Sequence, residues 1–294
     1  MKPASRSNVV NPEVIRLYDE YTHAPLSRRI FLDRLARMVG GAAAAYALLP
    51  LLENNYAQAA QVAADDARLR LEEVQFGRVG EQQLGGYLAR PLAATGPLPA
   101  VVVIHENRGL NPHIRDVARK LALDGFVVLA PDYLSPLGGT PADEDKAREL
   151  IGKLTPQQTD DVSQLALSYL QGVGNGKVGA VGFCWGGGQV GRMAVNLPML
   201  QAGVVYYGSQ PAAAEVGSIR APLLLHYAGL DERINAGIPA FESALQAAGK
   251  RYQLHRYPGV NHAFNNDSNA ARYDAAAASL AWQRTLAFLH QQLD

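Results

Sequence analysis

The chain has 294 residues, 48% hydrophobic and 18% charged, enough to bury one large core or two small ones and too apolar for a disordered chain. Lys plus Arg and Asp plus Glu both number 27, so the formal net charge is zero and neither nucleic acid nor an anionic membrane surface has an electrostatic reason to bind. The single cysteine, Cys184, excludes an intramolecular disulfide, and the default for such a residue is a small buried hydrophobe.

The N-terminus reads as an export segment. Residues 27–32 are SRRIFL, an uncharged run MVGGAAAAYALLPLL fills 38–52, and Ala57-Gln58-Ala59 has the spacing a signal peptidase needs. Arg28 and Arg29 followed by Phe31 and Leu32 resemble a twin-arginine signal, with two departures: a long polar stretch precedes the arginines, and Asp33 stands where a basic residue is more usual. The apolar run is 15 residues, short of the roughly 20 that span a membrane. Residues 1–64 are therefore expected to be a leader and linker, with a periplasmic or exported destination and membrane contact only in transit. The alternative is an Ala-rich helix that stays on a cytoplasmic protein and packs against it.

Beyond a polar Ala/Asp linker the segments alternate. LRLEEVQF (69–76) and GGYLAR (85–90) read as an antiparallel strand pair. VVVIH (101–105) and FVVLAP (126–131) are short, continuous, β-branched runs of the kind buried on both faces of a parallel sheet. Helical spacing separates them at 114–123 and recurs at 159–170. KVGAVGF (177–183), AGVVYYG, APLLLHYAG and RYQLHRYPG add four more strands. The alternation predicts an α/β fold with a mostly parallel sheet and helices on both faces, one domain spanning 65–294. SPLGGTPADEDK (135–146) reads from its composition as a mobile wall of the pocket.

The sharpest pattern is Gly182-Phe183-Cys184-Trp185-Gly186-Gly187, directly after a predicted buried strand and before the helix-capable QVGRMAVNL. This is the nucleophile-elbow arrangement of the α/β-hydrolase fold with cysteine in place of serine. Glycines two residues either side remove side chains that a tight strand-to-helix turn cannot hold. A helix starting there aims its amides at a thiolate. In this fold the acid and then the base follow the nucleophile. Asp231 comes after the strand 223–228, and His262 lies in a loop after the strand 252–257. The bland reading of Asp231 is a helix cap. His226 and His255 lie inside predicted strands as core or surface residues. No HxxH or HExxH spacing occurs, so no metal centre is expected, and no cofactor either.

The succession VVVIHENRGL, LAPDYL, VGFCWGGG, GLDE and PGVNHAF resembles the dienelactone hydrolases (carboxymethylenebutenolidases) over about residues 70–290. The resemblance implies a triad of Cys184, Asp231 and His262. It also implies that Glu106 is the carboxylate touching the resting thiol, against a structural reading in which Arg108 or Arg115 holds it. Family members that open dienelactone hold its carboxylate with two arginines, one of them close after the base histidine. Here Ala263 to Asp267 contain none, Arg148 lies in a region compatible with the other, and Phe264 joins it as a candidate substrate contact. One missing arginine removes a charge-assisted hydrogen bond, about 1.5–3 kcal/mol, so the substrate differs or is neutral in that alternative.

The expected chemistry is attack by Cys184 on a small-molecule ester or lactone, with His262 moving the proton and Asp231 orienting it. Backbone N–H groups of Trp185 and Asn107 form the expected oxyanion hole. Three alternatives stand beside it: a general carboxylesterase or thioesterase, a non-catalytic ligand-binding member of the fold, and a redox sensor without a second cysteine to resolve it. A monomer is the expected state.

Overall fold

The computed structural model describes residues 10–24 and 26–294; the side chains of Ala57 and Gln58, in the expected cleavage motif, lie outside the described set. Four helices come first: α1 (Pro12–His23), α2 (Arg28–Val39), α3 (Ala42–Leu52) and the single turn α4 (Tyr56–Ala59). The body follows as β1 (Leu69–Val79), β2 (Gln82–Pro91), β3 (Ala100–Ile104), α5 (Pro112–Leu123), β4 (Val127–Pro131), α6 (Glu144–Ile151) and α7 (Pro156–Val173). It closes with β5 (Val178–Phe183), α8 (Trp185–Asn196), β6 (Ala202–Tyr206), β7 (Leu223–Ala228), α9 (Glu232–Asn235), α10 (Ile238–Ala247), β8 (Tyr252–Tyr257) and α11 (Ala275–Leu293).

The eight strands form one sheet in the order β1-β2-β4-β3-β5-β6-β7-β8. β1–β2 and β2–β4 are antiparallel, and every other pairing is parallel. Each strand predicted from an apolar run is present, so the α/β expectation is met. The first hairpin is longer than expected: pairing continues to Val79 and Gln82, past a shift in register between Gln75 and Gly77. Alternation along β3 sends Val101 and Val103 to one face and Val102 and Ile104 to the other, and all four are fully buried. The first face packs on α5 and α11 through Ile114, Leu121 and Leu289. The second packs on α7, α8 and α10 through Leu167, Val190 and Phe241. Burial on both faces explains why these strands read as unbroken apolar runs.

The N-terminal helices form a third cluster. Pro12 opens α1 while the Asn11 side chain accepts from the Glu13 N–H, and the Ser27 hydroxyl caps α2 by accepting from the Ile30 N–H. Gly40 and Gly41, at φ +87° and +143°, end α2 and turn the chain by 112° into α3, so the apolar run 38–52 is not one continuous helix. No single described helix is long and apolar enough to cross a membrane. Instead Tyr18, Tyr21, Phe31, Leu35 and Leu52 bury one another, with Tyr21 stacked on Phe31 at 4.5 Å between ring centres. This cluster is tied to the body. The Asn55 N–H donates to the Ser268 carbonyl at 2.7 Å, the Ala271 N–H to that of Leu51 at 3.2 Å, and the Tyr21 hydroxyl to Asp145 at 2.6 Å.

The expected pocket wall 135–146 is more ordered than its composition suggests. It begins with a 3-10 turn, Ser135–Leu137, and Thr140 is held by Asp132 through both its N–H and its hydroxyl, at 2.7 Å each.

Phe31 is 1% exposed, and a buried Phe→Ala change costs about 3–5 kcal/mol. Phe31→Ala is expected to loosen the helical cluster from the body: limited proteolysis should cut within residues 24–60 sooner than in wild type, leaving the 65–294 fragment resistant. Equal cutting rates would show that docking does not depend on this cluster.

Candidate active site

Cys184 sits between β5 and α8 at φ 54°, ψ −114°, a region that costs a non-glycine residue about 1–3 kcal/mol. Its neighbours make the turn possible. A Cβ on Gly182 would collide with the Gly186 carbonyl, and one on Gly186 with the carbonyls of Ile104 and His105. The Cys184 N–H donates to the Tyr206 carbonyl at 3.0 Å, which ties the elbow to the neighbouring parallel strand. Trp185 is the first residue of α8, so its N–H has no acceptor within the helix. Only two other described non-glycine residues have positive φ, Tyr207 at 40° and Ala263 at 64°, and both border the same site.

The expected acid and base arrive together. Asp231 follows β7 and does two things: Oδ1 caps α9 by accepting from the Ile234 N–H at 3.1 Å, and Oδ2 accepts from His262 Nδ1 at 2.5 Å. The capping reading and the orienting reading are both true of one carboxylate. With its Nδ1 hydrogen given to Asp231, His262 turns Nε2 toward the sulfur. That atom is buried, makes no hydrogen bond, and lies within 4.8 Å of Sγ.

A third titratable group had no motif to announce it. His23, the last residue of α1, places Nε2 3.2 Å from Cys184 Sγ, while its Nδ1 faces the Asp19 carbonyl at 2.8 Å. The two imidazoles meet edge to face, 4.6 Å between centres. Burial pushes the Cys184 thiol up, but His23 first and His262 second pull it down to about 6. Burial lowers His262, but the Cys184 charge, Asp19 and Asp231 raise it to about 10. His23 is raised as well: burial and His262 oppose its proton, while Cys184 and Asp19 favour it. Burial raises Asp231, and the His262 contact more than offsets this and leaves it lowered. All of these shifts act in one direction, favouring a thiolate beside protonated imidazole with carboxylates nearby.

Glu106 does not take its expected place. Its Oε2 accepts from Asn266 Nδ2 at 2.8 Å, its Oε1 lies 3.5 Å from the Tyr207 hydroxyl, and the hydrogen-bonding partner of the sulfur is His23. Neither Arg108 nor Arg115 holds it: they pair with Glu144 and Glu73. Phe264 is likewise corrected, since it is fully buried against Tyr207 and Tyr257 in the body core and does not line the cavity over the sulfur. Arg148 does line that cavity, but NH1 donates to the Tyr21 carbonyl at 2.5 Å and the guanidinium lies 4.3 Å over the Tyr21 ring. Asn107 lines it too, and its side-chain amide donates to the Thr22 carbonyl at 2.7 Å. The cavity, about 700 Å³, opens over Cys184, Trp185, Tyr207 and His262.

His23, Cys184 and His262 offer three ligand atoms within 4.8 Å of one another. Sequence spacing did not bring these three groups together, because His23 and Cys184 are 161 residues apart.

A family model described as the dienelactone hydrolase family matches residues 84–293, and one described as YqhI-like matches residues 1–41. A relative from Escherichia coli O157:H7, named "Putative carboxymethylenebutenolidase", is 34% identical over 222 residues, covering 70% of this chain and 81% of that one. The crystal structure of a "Putative Dienelactone Hydrolase" from Klebsiella pneumoniae superposes with TM-score 0.69 at 30% identity, covering 76% of this chain and 99% of that one. About a quarter of this chain thus has no counterpart there. Dienelactone hydrolase from Anabaena variabilis, at 24% identity and TM-score 0.57, covers 77% of this chain and all of that one and shares the fold.

Gly186→Ala is expected to cost about 1–3 kcal/mol or more, because the added methyl meets the rigid backbone of β3 rather than a side chain that can move aside. Thermal melting reads it, and an unchanged Tm would mean the turn is looser than its backbone implies. With the elbow, the order of the residues around it and the match over 84–293, the chain belongs to the dienelactone hydrolase family of α/β-hydrolases, which act on ester bonds.

Proposed function

We propose that the chain hydrolyses a small lactone or carboxylic ester through a thioester on Cys184. The observation that carries this reading is the buried, unpartnered Nε2 of His262, which faces the sulfur while Asp231 holds the other ring nitrogen. Cys184 thiolate attacks the carbonyl carbon, and the oxyanion is received by the N–H groups of Trp185 and Asn107. The intermediate collapses and expels the alkoxide or enolate, which takes the proton from His262. Neutral His262 then removes a proton from water, whose oxygen attacks the thioester. The thiolate leaves, and the product is the free acid.

A thiolate is a good leaving group, which favours activated acyl compounds such as enol esters over amides. Arg148 is committed to Tyr21, and Arg28, also on the cavity wall, pairs with Glu53 and Asp145. Among the described arginines lining the cavity, Arg233 is the one without an ion pair, and a substrate carboxylate would meet it there. This shift from the expected arginine positions favours, as a second reading, a carboxylesterase whose substrate differs from dienelactone.

The signs of the two shifts set the pH window. A lowered thiol supplies thiolate above about 6, and a raised imidazole keeps its proton below about 10. The kcat/KM on p-nitrophenyl acetate is expected to rise through pH 6, stay level, and fall as pH approaches 10. A rise only near the free-thiol value of about 8.5 would mean an unactivated cysteine. Cys184→Ala is expected to abolish turnover, and Asp231→Asn to lower kcat by roughly a thousandfold or more through the wrong imidazole tautomer. Turnover surviving in Cys184→Ala would overturn the thioester route.

A further inference from the structure

The thiol in this site touches a side chain that lies outside the matched hydrolase region. His23 stands on α1, is largely buried, and has its Nε2 3.2 Å from the sulfur. Its orientation is built rather than incidental. Nδ1 faces the Asp19 carbonyl at 2.8 Å and an Asp19 carboxylate oxygen at 3.3 Å, and Arg272 stands 3.6 Å behind that carboxylate. The preceding residue is held by the Asn107 amide on the Thr22 carbonyl, and the one before it by Arg148 on the Tyr21 carbonyl. Two residues of the cavity wall thus grip the end of the helix that carries the imidazole.

We propose that His23 is a catalytic residue of this site, holding the Cys184 sulfur through Nε2 and stabilising its thiolate, so that the N-terminal segment is part of the working enzyme. The proposal rests on Cys184 being the nucleophile. It supplies what Glu106 does not, since that carboxylate is turned to Asn266 and Tyr207. With the Nδ1 hydrogen committed to Asp19, neutral Nε2 accepts from S–H; transfer of that one proton along the same contact leaves thiolate and imidazolium. In acylation the sulfur is consumed, and His262, backed by Asp231, gives its proton to the leaving group. In hydrolysis of the thioester, His262 takes the proton of the attacking water, and the departing thiolate is met by His23. One imidazole cannot both stay protonated beside the sulfur and act as the base for water, so two serve better than one. Their charges repel each other, and the Cys184 thiolate, Asp19 and Asp231 offset that repulsion, so both can carry a proton when the sulfur attacks. Besides these groups, Glu106 faces His23 from the turn after β3, and the Asp145–Arg148 pair faces it from α6. A cut after Ala59 would remove His23, so the leader expected from the sequence and this role make opposite demands on residues 10–59.

The test uses the full chain, with His23→Ala and His23→Gln, the latter keeping most of the side chain's volume on α1. The rate of Cys184 alkylation by iodoacetamide is followed against pH by mass spectrometry, beside burst and steady-state kinetics on p-nitrophenyl acetate. Both variants are expected to move the alkylation midpoint up by about one pH unit or more, toward the roughly 8.5 of a free thiol. Steady-state turnover should fall at least tenfold while an acylation burst remains. A wild-type midpoint in both variants overturns the proposal. A midpoint moved by Ala but not by Gln also overturns it, since filling space rather than charge would then be what the thiol needs. Cys184→Ala in the same assay separates the two readings. Turnover that survives it sinks the thioester route itself; turnover lost there but unchanged in His23→Gln sinks only the role of His23.

Discussion

The backbone of Cys184 is held at φ 54° by the parallel strands on either side of β5, and the geometry of the site follows from that constraint. The Tyr206 carbonyl of β6 accepts the Cys184 N–H, while the end of β3 presses so close to Gly186 that no side chain fits. The strained turn therefore exists only when three strands are in register. Packing on both faces of the sheet, with β3 and β5 fully buried, supplies the stability that offsets it.

The site is built on one sulfur faced by two imidazoles in contact with each other, with a carboxylate near each. Asp231 stands behind His262, and Asp19 stands behind His23. The Asp231 carboxylate fixes the His262 ring by taking its Nδ1 hydrogen, and the Asp19 backbone carbonyl, with its carboxylate 3.3 Å away, does the same for His23, which leaves each Nε2 for the sulfur. In a pocket this buried, a lone thiolate would be costly, and the paired imidazoles reverse the sign of the shift. Glu106 is turned to neutral partners, Asn266 and Tyr207, and does not hydrogen-bond the sulfur.

Residues 27–52 illustrate how one composition can answer two physical demands. An uncharged run behind two arginines suits an export signal, and the same residues suit a helical pair that buries its apolar side on a folded body. In the folded chain Gly40 and Gly41 break the run, and the resulting bend brings Leu49 and Leu52 onto the cluster around Phe31.

The sequence by itself determined the sheet, the elbow and the order of Cys184, Asp231 and His262. Strands buried on both faces leave unbroken apolar runs, and a strained turn demands glycines at fixed spacing; both are local signatures. The long-range partners were decided by tertiary structure alone. His23 and Asp19 lie more than 150 positions before the residues they serve, in a stretch whose composition resembles a leader. The orientation of Glu106, the burial of Phe264 and the commitment of Arg148 to Tyr21 likewise depend on which helix packs where. Hydrogen bonds and charges act through distance in space, and only the folded chain sets that distance.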